Sequence, residues 1–214
     1  MMRCAMFFGR LLAVVASLVI AAEAAVASAT PVGWTPALDD DGIFVYKRKR
    51  AGSPYEEVRA ETQLNARVED FIPFFNDPVN YKKWVYGTLE TRQVSRAKDM
   101  DFIFYGVFKI PWPFENREIF SRVEIQRDAK SNELLARLTD SPSEQPVAPN
   151  LVRVSKFESL WNVKQAADNK VDFTIEMYAE PGGKLPPFIV NLVLSRIQLW
   201  SIKNLRREIA TIKN

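Results

Sequence analysis

The chain has 214 residues, with 29 lysines and arginines against 26 aspartates and glutamates and a net charge of +3. It contains no histidine and a single cysteine, Cys4. An intrachain disulfide and histidine-based catalytic triads are therefore excluded, and the usual zinc, copper and non-haem iron sites are disfavoured. We predict no catalytic residue, no metal site and no cofactor.

The N-terminal segment has the pattern of a secretory signal peptide. A basic start precedes an apolar run at residues 11–20, and a small-x-small sequence ends at Ala29. We predict a signal peptide over 1–29 with cleavage near Ala29, or alternatively after Ala24, and one domain over 30–214. The protein would then be exported, to the periplasm or outside the cell. A retained membrane anchor is the alternative, although the run is short for a span.

Most of the remaining sequence predicts an antiparallel sheet. Alternating apolar residues bounded by turn residues indicate strands, and residues 68–75 indicate a short helix. A long helix follows from Pro187 to about Thr211. The fold class is α+β, with a sheet gripping one long C-terminal helix. The predicted strands are 42–50, 56–65, 88–96, 101–110, 118–126, 134–140, 151–164 and 170–180.

The C-terminal segment carries the clearest local signals. Glycines end the last strand, and two prolines pre-set the first turn of a helix that neither glycine nor proline interrupts. Residues 188–194 are apolar on nearly every side, so we expect them to be covered on more than one face. Such a helix would form a lid over an apolar interior.

Two stretches resemble the START family of lipid-transfer domains. The first is 110–120 (IPWPFENREIF), with the pair Arg117-Glu118, which we interpret as a structural ion pair. The second is 180–207, with Gly183, Pro186 and Asn191 at fixed spacing. The resemblance spans about residues 34–209. It implies a helix-grip fold, a curved sheet wrapped around the C-terminal helix, and an internal cavity from which a lipid is carried or exchanged between membranes or partners.

The resemblance also predicts the character of the cavity. The sterol-binding branch of the family places an arginine where this chain has Val123, so we expect an apolar cavity without a buried ion pair. A lipid or another hydrophobic small molecule would be the ligand. The residues predicted to line the cavity are Phe102, Phe104, Phe108, Ile119, Val123, Phe173, Ile175, Met177, Val193, Ile197 and Trp200.

Two other functions use the same cavity. A helix-grip enzyme of the cyclase or hydrolase kind would need Tyr105, Tyr178 or Glu176 to face inward, and strand alternation points all three outward. A quinone-binding chaperone is the other alternative. Both remain open at this point.

Partner surfaces are less clearly marked in the sequence. The basic run 47–50 is typical of a solvated strand, with attraction to anionic lipid headgroups second, and we expect no nucleic acid partner. Ile197, Leu199 and Trp200, together with the loop 142–149, are candidates for a gate. Transient contact with a membrane surface would follow, and the oligomeric state is left open.

Overall fold

A computed structural model describes residues 30–212 of the chain. The predicted signal peptide lies outside the described residues. Ten strands form one sheet, and three α-helices and two short 3-10 turns accompany it. The strands are β1 (Thr35–Asp40), β2 (Ile43–Lys49), β3 (Glu56–Leu64), β4 (Thr88–Lys98), β5 (Asp101–Phe108), β6 (Asn116–Asp128), β7 (Glu133–Asp140), β8 (Leu151–Arg153), β9 (Lys156–Ala167) and β10 (Lys170–Glu180). The helices are α1 (Ile72–Asn76), α2 (Tyr81–Trp84) and α3 (Pro187–Ile212), with 3-10 turns at Val68–Phe71 and Pro78–Asn80.

The sheet is open and almost entirely antiparallel. Its strand order is β1-β2-β3-β10-β9-β7-β6-β5-β4, and the short β8 adds a parallel pairing to β6. The first three strands therefore meet the last long strand, β10, in the middle of the sheet. This arrangement agrees with the predicted fold class.

Strand alternation decides which face of the sheet is buried. On β10, Val171, Phe173 and Ile175 are buried in the main core. On β3, Val58 and Ala60 take the same face. Since side chains alternate along a strand, one face of the sheet becomes continuously apolar and has to be covered by helices.

Helix α3 provides most of that cover. It packs against β1, β2, β3 and α2, and the backbone N–H of Tyr86, just after α2, donates a hydrogen bond to Ser201 Oγ at 2.9 Å. Its first residue, Pro187, is as predicted. No helix among residues 30–212 is long and apolar enough to cross a bilayer.

The expectation that the start of α3 is covered on more than one face was wrong. Val190 and Leu194 are buried, whereas Phe188 is 72% exposed and Leu192 is 54% exposed. The sheet reaches only one side of this half of the helix. A stripe of large apolar side chains is therefore left in contact with solvent.

Three local predictions differ from the structure. Strand β1 was not predicted, because this edge strand is largely exposed and lacks an apolar alternation. The predicted strand 151–164 is two strands, of which the first pairs with β6 and the second with β7 and β10. The short helix predicted at 68–75 is followed by a second one, α2, which was not predicted.

Candidate functional site

A cavity of about 130 Å³ lies between α3 and the buried face of the sheet. Its walls come from α2, α3, the segment after β5 and the middle strands of the sheet. Almost all of the lining is apolar. Apart from Lys109 and Arg117, no residue among those that line it carries a charge at neutral pH.

Aromatic rings from distant parts of the chain line one side of the cavity. The ring centroids of Trp84 and Trp161 are 4.8 Å apart, and those of Tyr81 and Phe104 are 5.2 Å apart, both in edge-to-face contact. The Tyr81 hydroxyl donates a hydrogen bond to the carbonyl of Phe75 at 2.7 Å. Burial raises the pKa of Tyr81 well above its usual value, so this side chain stays neutral.

Seven of the residues predicted to line the cavity do so. They share strand or helix faces turned toward the space between sheet and α3. Whether they bind a ligand stays a prediction. The seven are Phe104, Phe108, Ile119, Ile175, Met177, Val193 and Ile197.

Four predicted residues do not line the cavity. Phe102, Val123 and Phe173 are buried in the core beyond it, and the ring of Phe173 stacks on Phe71 at 5.8 Å. Strand alternation placed these three on the buried face, but Phe173 meets Phe71 and Phe75 of the segment 68–76 rather than the cavity. Trp200 is 46% exposed and stacks on Tyr86 outside the cavity.

The predicted ion pair between Arg117 and Glu118 is not formed, because neighbouring residues of a strand point to opposite faces. Arg117 is buried and donates hydrogen bonds to the carbonyls of Pro181 at 2.7 Å and Gly182 at 3.1 Å. Burial lowers its pKa. Arg117 therefore fastens β6 to the turn before α3.

Glu118 belongs to a separate buried cluster on the outer face of the sheet. It accepts a hydrogen bond from the Tyr105 hydroxyl at 3.1 Å and another from Arg153 Nε at 2.9 Å. The side chain of Tyr105 packs against Phe120 with ring centroids 5.0 Å apart. Burial, reinforced by the hydrogen bond to Glu118, raises the pKa of Tyr105 to about 12.

The remaining motif residues fix the beginning of α3. Gly183 adopts a φ of +64°, and the carbonyl of Pro186 accepts hydrogen bonds within the first helical turn. Asn191 Oδ1 accepts a hydrogen bond from the backbone N–H of Glu56 at 2.9 Å, and its Nδ2 donates to the carbonyl of Pro54 at 3.3 Å. The helix start is thereby tied to the turn between β2 and β3.

The loop 142–149 is not at the cavity. It covers the outer cluster, where the backbone N–H of Ala148 donates to Glu118 at 3.3 Å and Arg153 donates to the carbonyl of Gln145 at 2.8 Å. None of its residues lines the cavity, so its predicted role as part of the gate was wrong. Of the helical gate candidates, Ile197 lines the cavity and Leu199 is buried beside it in the core.

The opening lies between the segment after β5 and the first half of α3. Tyr86, Lys109 and Pro111 line the cavity and are exposed to solvent. Trp112, the next residue, is 92% exposed. Phe188 and Leu192 on α3 are also exposed. We term Trp112, Phe188 and Leu192 the rim surface, because each is an exposed apolar residue next in sequence to one that lines the cavity.

The side chains considered for an enzyme are directed away from the cavity. Tyr105 is in the outer cluster, Glu176 accepts a hydrogen bond from Arg59 at 2.6 Å, and the Tyr178 hydroxyl lies 2.8 Å from Ser53 Oγ. None of the three lines the cavity. Their outward direction agrees with the alternation seen in the sequence.

The basic run at 47–50 is largely paired with acidic side chains. Lys47 lies 3.5 Å from Glu56, and Arg50 lies 2.8 Å from Glu158. Arg48 pairs with a further glutamate on β3. Neighbouring carboxylates thus offset much of the charge that made this strand a candidate for binding headgroups.

Several lining residues were missed in the sequence. Trp161 shares its strand face with buried Val163, a signal that alternation could have revealed. Gln198 lies at helical spacing between buried Leu194 and Ile202, so its burial could also have been predicted from the sequence. Trp84 could not be placed, because α2 is a single turn whose sequence lacks a helical period.

Sequence comparison identifies a distant relative of the chain. No protein-family model matches the chain. An uncharacterized protein from Pseudomonas aeruginosa is 25% identical over 173 residues, covering 81% of this chain and 85% of that protein.

Solved structures show the same fold. The STAR-related lipid transfer protein from Xanthomonas axonopodis is 28% identical with a TM-score of 0.76, covering 83% of this chain and 99% of that chain. Human StAR-related lipid transfer protein 5 is 15% identical with a TM-score of 0.77, covering 86% and 89%. The Zhui aromatase/cyclase from Streptomyces is 12% identical with a TM-score of 0.54, covering 74% and 95%. The chain thus has the START helix-grip fold, and the predicted resemblance to the START-related lipid-transfer domains is confirmed.

Proposed function

We propose that this protein binds a neutral hydrophobic ligand, a lipid, in the cavity beneath α3 and exchanges it with membranes outside the cytoplasm. The observation that carries the proposal is an almost wholly apolar cavity, in a START fold, whose opening is bordered by the exposed rim surface. The export signal predicted over residues 1–29 supports the location.

The size of the cavity implies movement during loading. A space of this volume accommodates a group of about the size of benzene, whereas pockets for whole ligands measure about 300–1,000 Å³. The segment 109–115 or the first half of α3 therefore moves outward as a lipid enters. Both border the opening, and the Asn191 and Arg117 contacts keep the helix start attached during such a movement.

The energetics favour exchange over extraction. Burying one methylene gains about 0.8 kcal/mol, so a sixteen-carbon chain gains roughly 13 kcal/mol relative to water. A bilayer offers the same chain a similar gain. The protein then needs to provide a path between two apolar environments, and an opening placed against the membrane provides it.

The rim surface supports such a placement. Trp112, Phe188 and Leu192 are 92%, 72% and 54% exposed, and each is next in sequence to a residue that lines the cavity. Exposed apolar clusters of this kind mark surfaces that contact proteins or membranes. Tryptophan in particular favours the headgroup level of a bilayer.

The enzyme alternative has the aromatase/cyclase neighbour in its favour. Acid–base chemistry would need a titratable group near the bound ligand. Among the described residues that line the cavity, none is aspartate or glutamate, and Tyr81 is committed to the carbonyl of Phe75. Tyr86 and Lys109 also line it, but both are exposed to solvent at the opening. The lining therefore favours binding over catalysis.

Lipid transfer between vesicles tests the proposal. Delipidated protein would be mixed with donor vesicles carrying a fluorescent acyl lipid and with unlabelled acceptor vesicles, and transfer would be followed over time. Val193→Trp fills the cavity from a half-buried lining position, whereas Leu192→Trp places the same side chain one residue away on the exposed stripe. We expect transfer with the wild type and with Leu192→Trp, and loss with Val193→Trp.

Two results would contradict the proposal. The first is wild-type transfer no faster than that of heat-denatured protein. The second is equal transfer by Val193→Trp and the wild type, because the cavity would then not be the route. Mass spectrometry of the lipids that remain bound when the protein is purified from its native cells would identify the ligand.

A further inference from the structure

We infer that the cavity recognises a lipid with a free hydroxyl group, held by Gln198 and Trp84. The inference rests on the proposed function and specifies the chemical class of the ligand. It starts from two polar atoms in an otherwise apolar lining. One is a hydrogen-bond acceptor and the other is a donor.

Gln198 supplies the acceptor. It is 2% exposed, lines the cavity and lies on the buried face of α3 between Leu194 and Ile202. Its Nε2 donates to the sulfur of Met177 at 2.8 Å. Its Oε1 is buried and has no hydrogen-bond partner among residues 30–212. A shorter apolar side chain would fill an ordinary core position at lower cost.

Trp84 supplies the donor. Its side chain is fully buried and lines the same cavity, and its Nε1 has no hydrogen-bond partner in the described part of the chain. The residue lies against α3, because Asn204 Nδ2 donates to its carbonyl at 3.3 Å. Buried tryptophan nitrogens usually find an acceptor. Two buried polar groups of opposite hydrogen-bonding sense are therefore left for whatever fills the cavity.

A hydroxyl group meets both requirements. It donates one hydrogen bond, which Gln198 Oε1 can accept, and it accepts one, which Trp84 Nε1 can donate. It is neutral, so it enters an apolar cavity without the cost of burying a charge. Alkanes satisfy neither group, and ethers satisfy only Trp84.

Phosphate headgroups do not fit this position. The buried cation of the lining, Arg117, already donates to the backbone carbonyls of Glu115, Pro181 and Gly182. Lys109 lies at the exposed opening. A phosphate next to Gln198 would therefore be buried without a counter-charge. Sterols, diacylglycerols and long-chain alcohols share the free hydroxyl that does fit.

Three matched probes separate the requirements: 1-hexadecanol, its methyl ether and hexadecane, each competing with a fluorescent acyl probe for delipidated full-length protein. We expect the wild type to bind the alcohol about tenfold more tightly than the ether, the effect of one hydrogen bond. Gln198→Met should abolish that difference. Trp84→Phe should lower the affinity for the ether to about that for hexadecane.

Gln126→Met, on the exposed face of β6, is the matched control and should bind all three probes as the wild type does. Thermal unfolding of each variant would verify that it is folded. Should Gln198→Met not fold, Trp84→Phe tests the donor half independently. Competition by cholesterol, diacylglycerol and hexadecanol, each in turn, would then identify the source of the hydroxyl.

The outcomes separate the inference from the proposed function. If none of the probes binds, the proposed function fails. If the wild type binds alcohol, ether and alkane equally, or if Gln198→Met keeps the preference for the alcohol, the function stands and the hydroxyl inference is overturned. Tighter binding of a phospholipid than of the alcohol would overturn it too.

Discussion

Replacing the two rim-surface side chains of α3 with serine should weaken the binding of the protein to membranes. The double variant Phe188→Ser/Leu192→Ser changes two residues that are 72% and 54% exposed. Full burial of such a side chain is worth about 1.5–3 kcal/mol. Scaled by the exposed fractions, the transfer of both side chains from water into a bilayer is worth about 2–4 kcal/mol.

Interfacial insertion realises only part of that gain, because the side chains enter the boundary between headgroups and acyl chains. With half of it realised, the variant loses about 1–2 kcal/mol of membrane affinity. Since 1.4 kcal/mol corresponds to a factor of ten, vesicle binding should weaken about five- to thirtyfold. Transfer between vesicles should slow in proportion.

The assay is co-sedimentation with phosphatidylcholine–phosphatidylglycerol vesicles at several lipid concentrations. Val79→Ser/Val147→Ser is the matched control, because these side chains are 59% and 47% exposed but line no part of the cavity. For both double variants, the free energy of unfolding should differ from that of the wild type by no more than about 0.5 kcal/mol per substitution, as is usual for surface changes. Equal vesicle binding by the two double variants would refute the assignment of the rim surface.

Three further predictions concern the scaffold around the cavity. Gly182→Ala should lower the free energy of unfolding by about 2–4 kcal/mol in urea denaturation, because φ is +67° and a Cβ would lie 2.6 Å from the carbonyl oxygen of Arg153. Gly52→Ala, at φ +75° with open space around it, should cost only about 1 kcal/mol, and equal losses would contradict the steric argument. Asn191→Ala should lower the free energy of unfolding by about 1–2 kcal/mol, because its hydrogen bonds to the β2–β3 turn are lost. It should also speed lipid exchange. An unchanged exchange rate would show that these hydrogen bonds do not restrain the helix. Tyr105 titrates near pH 12 in the folded protein and near its ordinary value of 10 when unfolded, so its stabilising contribution is complete below pH 10 and is lost as the pH rises toward 12. Because the raised pKa of buried Tyr81 contributes to this decline in both proteins, Tyr105→Phe should lose less stability than the wild type in urea denaturation between pH 8 and 11.5. Parallel pH profiles for the two proteins would argue against this prediction.

The α+β architecture, an antiparallel sheet with one long C-terminal helix, was predictable because its signals are local. Strand alternation, the proline pair before α3 and the uninterrupted helical stretch each act within a few residues. Together they yielded the fold class, most strands and the first residue of α3. The same alternation correctly directed Tyr105 and Glu176 away from the cavity, and it placed Ile119 and Ile175 inside.

Pairings between distant segments were not predictable in the same way. Arg117 was expected to pair with its neighbour, yet it binds carbonyls more than sixty residues away. The loop 142–149 was expected at the opening, and it covers the opposite face of the sheet instead. Such partners depend on the order of strands in the sheet, which no local pattern encodes.

The sequence by itself determined which side chains face inward, because periodicity is a property of the backbone. Only the tertiary structure decided how far along each strand the interior stays open. Phe173 faces inward but meets Phe71 and Phe75 of the segment 68–76, so it is core, whereas Phe104 lines the cavity. The tertiary structure also brought Gln198 and Trp84 to one cavity, because packing α2 against α3 joins residues more than one hundred positions apart.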